Sequence, residues 1–482
     1  MKNHSPWLAQ LRHTRPPVPL SQNVETDVCV IGAGIAGVST AYFLLKYTQK
    51  KVVLIEAGKV AHGATGHNAG QITSYFETPF SELVRRYGVS LAREAQHAID
   101  EDARLLIESI LVEANLDIPN SQFIGYDGFV REDQIVYELN ELRVMEEAGL
   151  RIRPLLVSKE WLAEHPLPVR YASFYTAVAH QEILSVLESR DPRYIAAKPY
   201  LSGCMNSALF TEELVGFLLA TYKDRFSLYE YTPASEVIVR DAEVTIVAGI
   251  HAITAQHVVL CTNGFENIRL QSTHGTDIDT AFHHSVEGVI GYMAAYREKT
   301  GRPPYAGIYS SLSKEEQAVM SDSVDLAEPY IYVTRRPFDI EGDMEKKNLV
   351  SIGGPDRRLP SAGMYDATSE FPEDMRTMLH SFAHTTLYDE PHAFEFLWHG
   401  LMGYTKSGVR LIGHEPLAPR LLYNLGCNGV GLLTSVYGAD RVARLLNGET
   451  FAPSIFDPAQ KPHKTKMARL RTLFETLKKK GK

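Results

Sequence analysis

The sequence predicts an α/β fold in two interleaved parts: a parallel-sheet domain opened by a βαβ unit and, threaded through it, an α+β domain built on an antiparallel sheet. Three observations predict this: a strand, glycine turn, helix and strand follow one another within residues 27–58; strand and glycine-turn patterns return near the middle and near residue 430; and 482 residues exceed one ordinary domain. With 44% hydrophobic and 22% charged residues the chain has the composition of a soluble enzyme, which excludes wholesale disorder and a polytopic membrane protein. The net charge of −9 argues against a dedicated nucleic-acid binder, so no nucleic-acid partner is expected.

Residues 27–58 read DVCVIGAGIAGVSTAYFLLKYTQKKVVLIEAG. Residues 28–31 make a short apolar strand, 35–46 have the composition of a helix, and 51–55 make a second strand that ends at Glu56, followed by Ala57. Gly32 permits the tight turn, Gly34 lets backbone approach a pyrophosphate, and Gly37 lets the helix lie close on the strand. Ile35 and Ala36 open a helix whose free N–H groups and positive dipole end suit phosphates. Glu56, 19 residues after Gly37, stands where a carboxylate accepts bonds from both ribose hydroxyls. An acid here disfavours a 2′-phosphate and leaves NAD or FAD. The uncharged 28–45 run is 18 residues long, the threshold for a membrane span, but three glycines, Ser39 and Thr40 interrupt it and the dinucleotide pattern explains it.

In the next segment, VAHGATGHNAGQITSYF (60–76), Gly63, Ala64, Thr65, Gly66, Asn68, Ala69 and Gly70 form a run of small residues, with His67 inside it and Gln71 at its end. Small side chains let backbone amides reach a flat, buried ring system. The run resembles the GA(S/T)GxNxGQ loop of the D-amino-acid-oxidase-like family of FAD-dependent oxidoreductases. That resemblance implies FAD as cofactor, a Rossmann-type, glutathione-reductase-like FAD-binding domain, and a loop at 63–71 that approaches flavin and pyrophosphate.

Three further segments fit the same family in order. In 228–265 alternating apolar residues mark strands, and the resemblance implies backbone near Val237 at the adenine and a turn at Thr262, Asn263 and Gly264 closing on the cofactor. The stretch FLWHGLMGYTKSGVRLIGHEP (396–416) is similar to the family's W-x-G-x-x-x-x-T-x-D-x-x-P-x-I-G, with Trp398 and Gly400 in place. Here the family's Asp falls at Ser407 and its Pro at Arg410. In 425–448 a glycine turn feeds a helix through Asn428, Gly429, Val430, Gly431 and Leu432, and its dipole end would face the flavin. The implied FAD domain comprises 24–90, 195–265 and 400–452; the substrate domain, 91–194 and 266–399; residues 1–23 are an extension and 453–482 a basic tail.

The resemblance further implies C–N bond oxidation: hydride passes from a carbon bearing an amine to flavin N5, and the imine hydrolyses to a carbonyl compound. GATGHNAGQIT, with Trp7 ahead of Pro16, Pro17 and Pro19, resembles the branch that holds γ-glutamylputrescine oxidoreductase and the glycine and sarcosine oxidases. The expected substrate is therefore an amine or N-substituted amino acid, with oxygen or another carrier as electron acceptor. Candidate substrate contacts are Tyr292, Tyr332, Trp398 and Tyr404, as a cation–π clamp, and Arg335, as partner of a substrate carboxylate. His67 admits two readings. It is a neutral side chain bonded to a loop carbonyl or phosphate, with FAD non-covalent, or the covalent flavin anchor of the dimethylglycine and sarcosine dehydrogenase relatives. Readings of another class are a tRNA-modifying flavoprotein and a non-catalytic flavin-binding protein.

Cys29, Cys204, Cys261 and Cys427 lie far apart without metal-ligand spacing, so no metal is expected and a reduced, cytoplasmic compartment is. Residues 461–482 hold nine Lys or Arg against Glu475, a charge of +8 that leaves −17 for the rest. Met467, Leu470, Phe474 and Leu477 fall on one helical stripe. It would cover the protein's own body, lie on the anionic inner face of a membrane, or dock a protein partner.

Overall fold

A computed structural model describes residues 3–12, 15–264, 268–273, 275, 277–280, 286–299, 301–310, 330–340, 347–359, 365–388 and 393–460. The basic tail with its expected stripe lies outside the described residues. Two large sheets organise the rest. The first holds nine strands, in the order Arg269–Ser272, Glu236–Val239, Val244–Ala248, His251–Leu260, Val24–Ile31, Val52–Ile55 and Phe226–Tyr229. Ala418–Leu425 adds to it in parallel beside His251–Leu260, and Leu411–Glu415 pairs antiparallel with Ala418–Leu425.

The centre of this sheet is parallel and buried on both faces, which is why Val28, Val30, Val52 and Leu54 form uninterrupted apolar runs. The helix Ile35–Tyr47 lies over it and is buried from Ile35 to Leu45, because the helices Gly431–Leu446 and Ser207–Thr221 both pack on it. A helix enclosed on all sides needs no polar stripe. That accounts for the uncharged run without a bilayer. Among the described residues no helix is long and apolar enough to cross a membrane.

The second sheet has ten strands, centred on the long Val286–Lys299, which pairs with Lys347–Gly353, Arg357–Arg358 and Phe396–Thr405. Most pairs are antiparallel, as the sequence leads one to expect, but Tyr305–Ser310 runs parallel to Asn120–Phe129, and Leu155–Ser158 to Tyr175–Val178. Segment boundaries differ from the expected ones in three places. Ala196–Met205 and the start of the 400–452 segment, through Thr405, are strands of the second sheet, whereas Arg269–Ser272 returns to the first. Each crossover strand is apolar on the face it buries in either sheet, so alternation alone does not say which sheet it joins. The helical segment over 91–113, expected in the substrate domain, also buries its apolar face with the first-sheet helices instead of forming part of the second domain's core.

The N-terminal extension is built into the junction between the sheets. The helix Pro6–Ala9 is capped by Ser5 Oγ, which accepts from Trp7 N and itself donates to Gly66 O. Trp7 is fully buried, sits edge-on to Trp398 at 6.1 Å, and carries the Arg336 guanidinium 4.0 Å over its ring. Both indole N–H groups, of Trp7 and Trp398, donate to Asn68 O. Replacing Trp7 with Ala removes a large buried ring and a cation–π partner at once, which costs about 3–5 kcal/mol. The expected outcome is a lowered midpoint in chemical denaturation together with faster loss of bound flavin; a Trp7→Ala protein with the parent's midpoint would contradict this packing account.

Candidate functional site

One cavity of about 500 Å³ runs between the two sheets, well within the size range of small-molecule sites. At one end lie Gly32, Gly34, Ile35 and Ala36, with Glu56 and Ala57 at the tip of the second strand. Gly37 does not face the cavity; a Cβ there would sit 1.8 Å from Gly32 O, so glycine lets the turn close. No side chain caps the helix at Gly34, and Thr65 Oγ1 accepts from Ile35 N at 2.9 Å, tying the 63–71 loop to the helix end. Glu56 Oε2 accepts from Ala33 N at 2.8 Å and Oε1 from Gly58 N at 2.9 Å. Burial raises its pKa while these N–H groups oppose the rise. The carboxylate is thereby oriented with lone pairs left for a ligand.

The loop residues Gly63, Ala64, Thr65, His67, Asn68, Ala69, Gly70 and Gln71 line the middle of the cavity. Gly66 stands behind them, its carbonyl bound by Ser5. A Cβ at Gly400 would meet His67 O at 2.6 Å, so loop and second sheet touch because Gly400 has no side chain. His67 Nδ1 lies 2.9 Å from Gly63 O, and burial depresses its pKa, which favours a neutral ring.

Opposite the loop the wall is made by Thr262, Asn263, Gly400, Gly429, Val430, Gly431 and Leu432. The 16-residue helix Gly431–Leu446 points its uncapped N-terminus here. Asn428 is buried behind the wall and braces it, its Oδ1 accepting from Thr405 N at 2.8 Å, while Asn263 Oδ1 accepts from Cys427 N at 2.8 Å. Gly264 is also behind, packed on Val286. Val237 is enclosed in the first sheet between Ile246 and Leu270 and does not line the cavity; the wall near it is Thr232, Pro233 and Ala234.

The candidate substrate contacts divide by strand alternation. Tyr332 and Tyr404 line the cavity. Tyr292 does not: Gly291 and Met293 face inward, so Tyr292 points to the far side, against Phe371 and His399. Arg335 likewise faces away from the cavity, held by both oxygens of Glu188 at 2.5 Å and by Pro303 O. It is therefore not a receptor for a substrate carboxylate. Trp398 shares the inward face with Gly400 but is covered by Trp7 and the loop.

Sequence reasoning missed Glu77 and Asp356. Both line the cavity with Tyr75, Tyr330, Tyr332 and Tyr404. Tyr330 Oη donates to Glu77 Oε1 at 2.8 Å, while Asp356 Oδ1 is buried without a hydrogen-bond partner. Burial pushes both carboxyls up to about 7, the Glu77 charge adding to the rise at Asp356. Arg410, the residue in the family's Pro position, is a buried cation on the cavity wall whose guanidinium is held by Asn424 Oδ1 and O at 2.6 and 2.7 Å, and burial lowers its pKa to about 10. Ser407 Oγ turns back to Val409 O. Cys29, Cys204, Cys261 and Cys427 are all unpaired thiols, and among the described residues no His, Cys, Asp and Glu group could hold a metal.

The fold and cavity define a two-sheet dinucleotide-binding protein, and the cavity fits FAD. Thr262 Oγ1 is buried on its wall with no partner among the described residues, and two helix N-termini open into it. The chain belongs to the family described as FAD dependent oxidoreductase, which matches residues 27–445. It is 34% identical over 131 residues to a putative Rieske 2Fe-2S iron-sulfur protein of Bacillus subtilis, covering 26% of this chain and 23% of that protein. It is 31% identical over 91 residues to γ-glutamylputrescine oxidoreductase of Escherichia coli, covering 19% of this chain and 21% of that one. The chain thus matches about a quarter or less of the length of these relatives. Glycine oxidase of Geobacillus kaustophilus superimposes with a TM-score of 0.60 at 16% identity, over 91% of this chain and 99% of that one, which shows the shared fold.

The two raised carboxyls link stability to pH. A carboxyl whose folded pKa lies above its unfolded value contributes stability that is present in full below the ordinary carboxyl range and is lost as pH rises through about 7. Glu77→Gln removes one such group, so thermal melts between pH 5 and pH 8 should show the variant losing less stability than the parent, by up to about 3 kcal/mol. Parallel curves across that window would show that Glu77 does not titrate there.

Proposed function

We propose that this protein oxidises the C–N bond of an amine or N-substituted amino acid with FAD as the two-electron acceptor, the imine product hydrolysing to a carbonyl compound. The observation that carries the reading is the cavity between the sheets, which joins a dinucleotide-type turn to an end lined by Tyr75, Tyr330, Tyr332, Tyr404, Glu77 and Asp356. When bound, FAD supplies the hydride acceptor.

The chain's own residues divide the remaining work. Glu56 would hold the adenosine ribose, the Gly32 to Ala36 turn with Thr65 the pyrophosphate, and Thr262, Gly400 and the 429–432 turn the flavin end. Arg410 and the N-terminus of Gly431–Leu446 place positive charge beside the anionic parts of the cofactor. The tyrosines exclude water and present ring faces and hydroxyls to a cationic nitrogen. His67 makes its hydrogen bond within the loop, in keeping with non-covalent FAD.

Anaerobic mixing of the yellow holoprotein with a panel of amines and amino acids should bleach the visible flavin band with at least one member, and acid precipitation should leave the flavin in the supernatant. A flavin band that no amine or amino acid bleaches would overturn the oxidase reading, and a yellow pellet would overturn the non-covalent one.

A further inference from the structure

The charged groups on the cavity wall are unevenly placed. Among the described residues they are Glu56, His67, Glu77, Asp356 and Arg410. Glu56 belongs to the dinucleotide end and Arg410 to the 424–427 corner, where Asn424 holds it. The tyrosine-lined end therefore carries two carboxyls and no described cation. The arginines nearest to it in sequence are committed elsewhere. Arg335 is held by Glu188, Arg336 lies over Trp7 and donates to Gln10 Oε1 at 2.7 Å, and Arg357 pairs with Asp374 and covers the outer face of Tyr292.

Among the described residues a ligand carboxylate entering this end would meet two acids and no counter-charge, whereas a cation would meet acids and ring faces. Each carboxyl has capacity to spare. Glu77 is bound through Oε1 by Tyr330, and Asp356 Oδ1 is buried and has no partner, although its backbone neighbour is the inward strand residue Gly291, whose Cβ position lies 3.2 Å from that oxygen. A buried acceptor with no donor costs free energy until a ligand supplies one.

We propose that the substrate is an alkylamine carrying a second cationic nitrogen and no carboxylate, its two nitrogens met by Glu77 and Asp356 inside the cage of Tyr75, Tyr330, Tyr332 and Tyr404. This rests on the amine-oxidising reading above and deepens it. Two cationic nitrogens balance two ionised carboxylates in a largely desolvated corner, where either charge alone is unfavourable. Because only a neutral amine releases hydride from its α-carbon, the ammonium at the reacting end first gives one proton to a carboxylate: an N–H bond breaks, an O–H bond forms, and no electrons move in that step. Glu77, with its carboxyl near 7 and Tyr330 fixing its orientation, is the group suited to take that proton. The second nitrogen stays charged on Asp356. The −17 charge outside the basic tail attracts such a dication from a distance.

The test uses the holoprotein with 1,4-diaminobutane, butylamine, 4-aminobutanoate, sarcosine and proline, following anaerobic flavin bleaching and, independently, binding by calorimetry. The diamine should bleach the flavin and bind at least about tenfold more tightly than butylamine, and the three carboxylate-bearing compounds should do neither. Asp356→Asn should abolish the preference of diamine over butylamine while leaving the flavin spectrum intact, and Glu77→Gln should slow bleaching by the diamine and move its pH profile. Bleaching by sarcosine or proline but not by the diamine overturns the substrate assignment and leaves amine oxidation standing. Bleaching by no compound, with no binding, overturns both. An unchanged diamine preference in Asp356→Asn overturns the role of that residue.

Discussion

The contact on which the cavity depends is the approach of the 63–71 loop to the second sheet. His67 O occupies the space a side chain at position 400 would need, and the two buried indoles of Trp7 and Trp398 both donate to Asn68 O. Thr65 ties the same loop to the start of the helix Ile35–Tyr47. A nine-residue loop of small side chains is thus pinned to both sheets and to the N-terminal extension. Move it, and the wall that carries the cavity from its dinucleotide end to its tyrosine end opens.

From that constraint the division of labour follows. Helix termini and glycine backbone face one end, where a ligand with phosphates needs N–H donors and no bulk. Tyrosines and carboxyls face the other, where desolvation holds the acids near neutrality. The buried Arg410 sits on the wall where relatives of this family place a proline, with neutral Asn424 as its partner. A desolvated guanidinium bound only by neutral acceptors is costly in isolation, so its presence on a cavity wall is consistent with an anionic ligand beside it.

Much of the dinucleotide end was legible in the sequence because its chemistry is backbone chemistry, and glycine spacing reports backbone directly. Gly32, Gly34, Glu56 and the 63–71 run stand where their spacing implies. The tyrosine end was harder to read. Strand alternation separates Tyr332 from Arg335 and Met293 from Tyr292, but only the pairing of Val286–Lys299 with Phe396–Thr405 says which parity is inward. Glu77 lies in the irregular segment after the loop, and Asp356 follows a strand end, so neither sits in a periodic pattern; the hint was an acid among aromatics in SYFETPF. Val237 does not line the cavity, because the resemblance located its neighbourhood and not its burial. The crossover strands Ala196–Met205 and Arg269–Ser272 were misassigned because an apolar strand fits either sheet.

On the proposed reading the cavity between the sheets holds the cofactor's reactive end against Glu77 and Asp356. A crystal structure of the holoprotein soaked with a diamine tests it most directly. Flavin density is expected beside Gly400 and the 63–71 loop, with the diamine nitrogens within hydrogen-bond distance of Glu77 and Asp356. A flavin ring that fills the tyrosine end and seals both carboxyls from the ligand would contradict it.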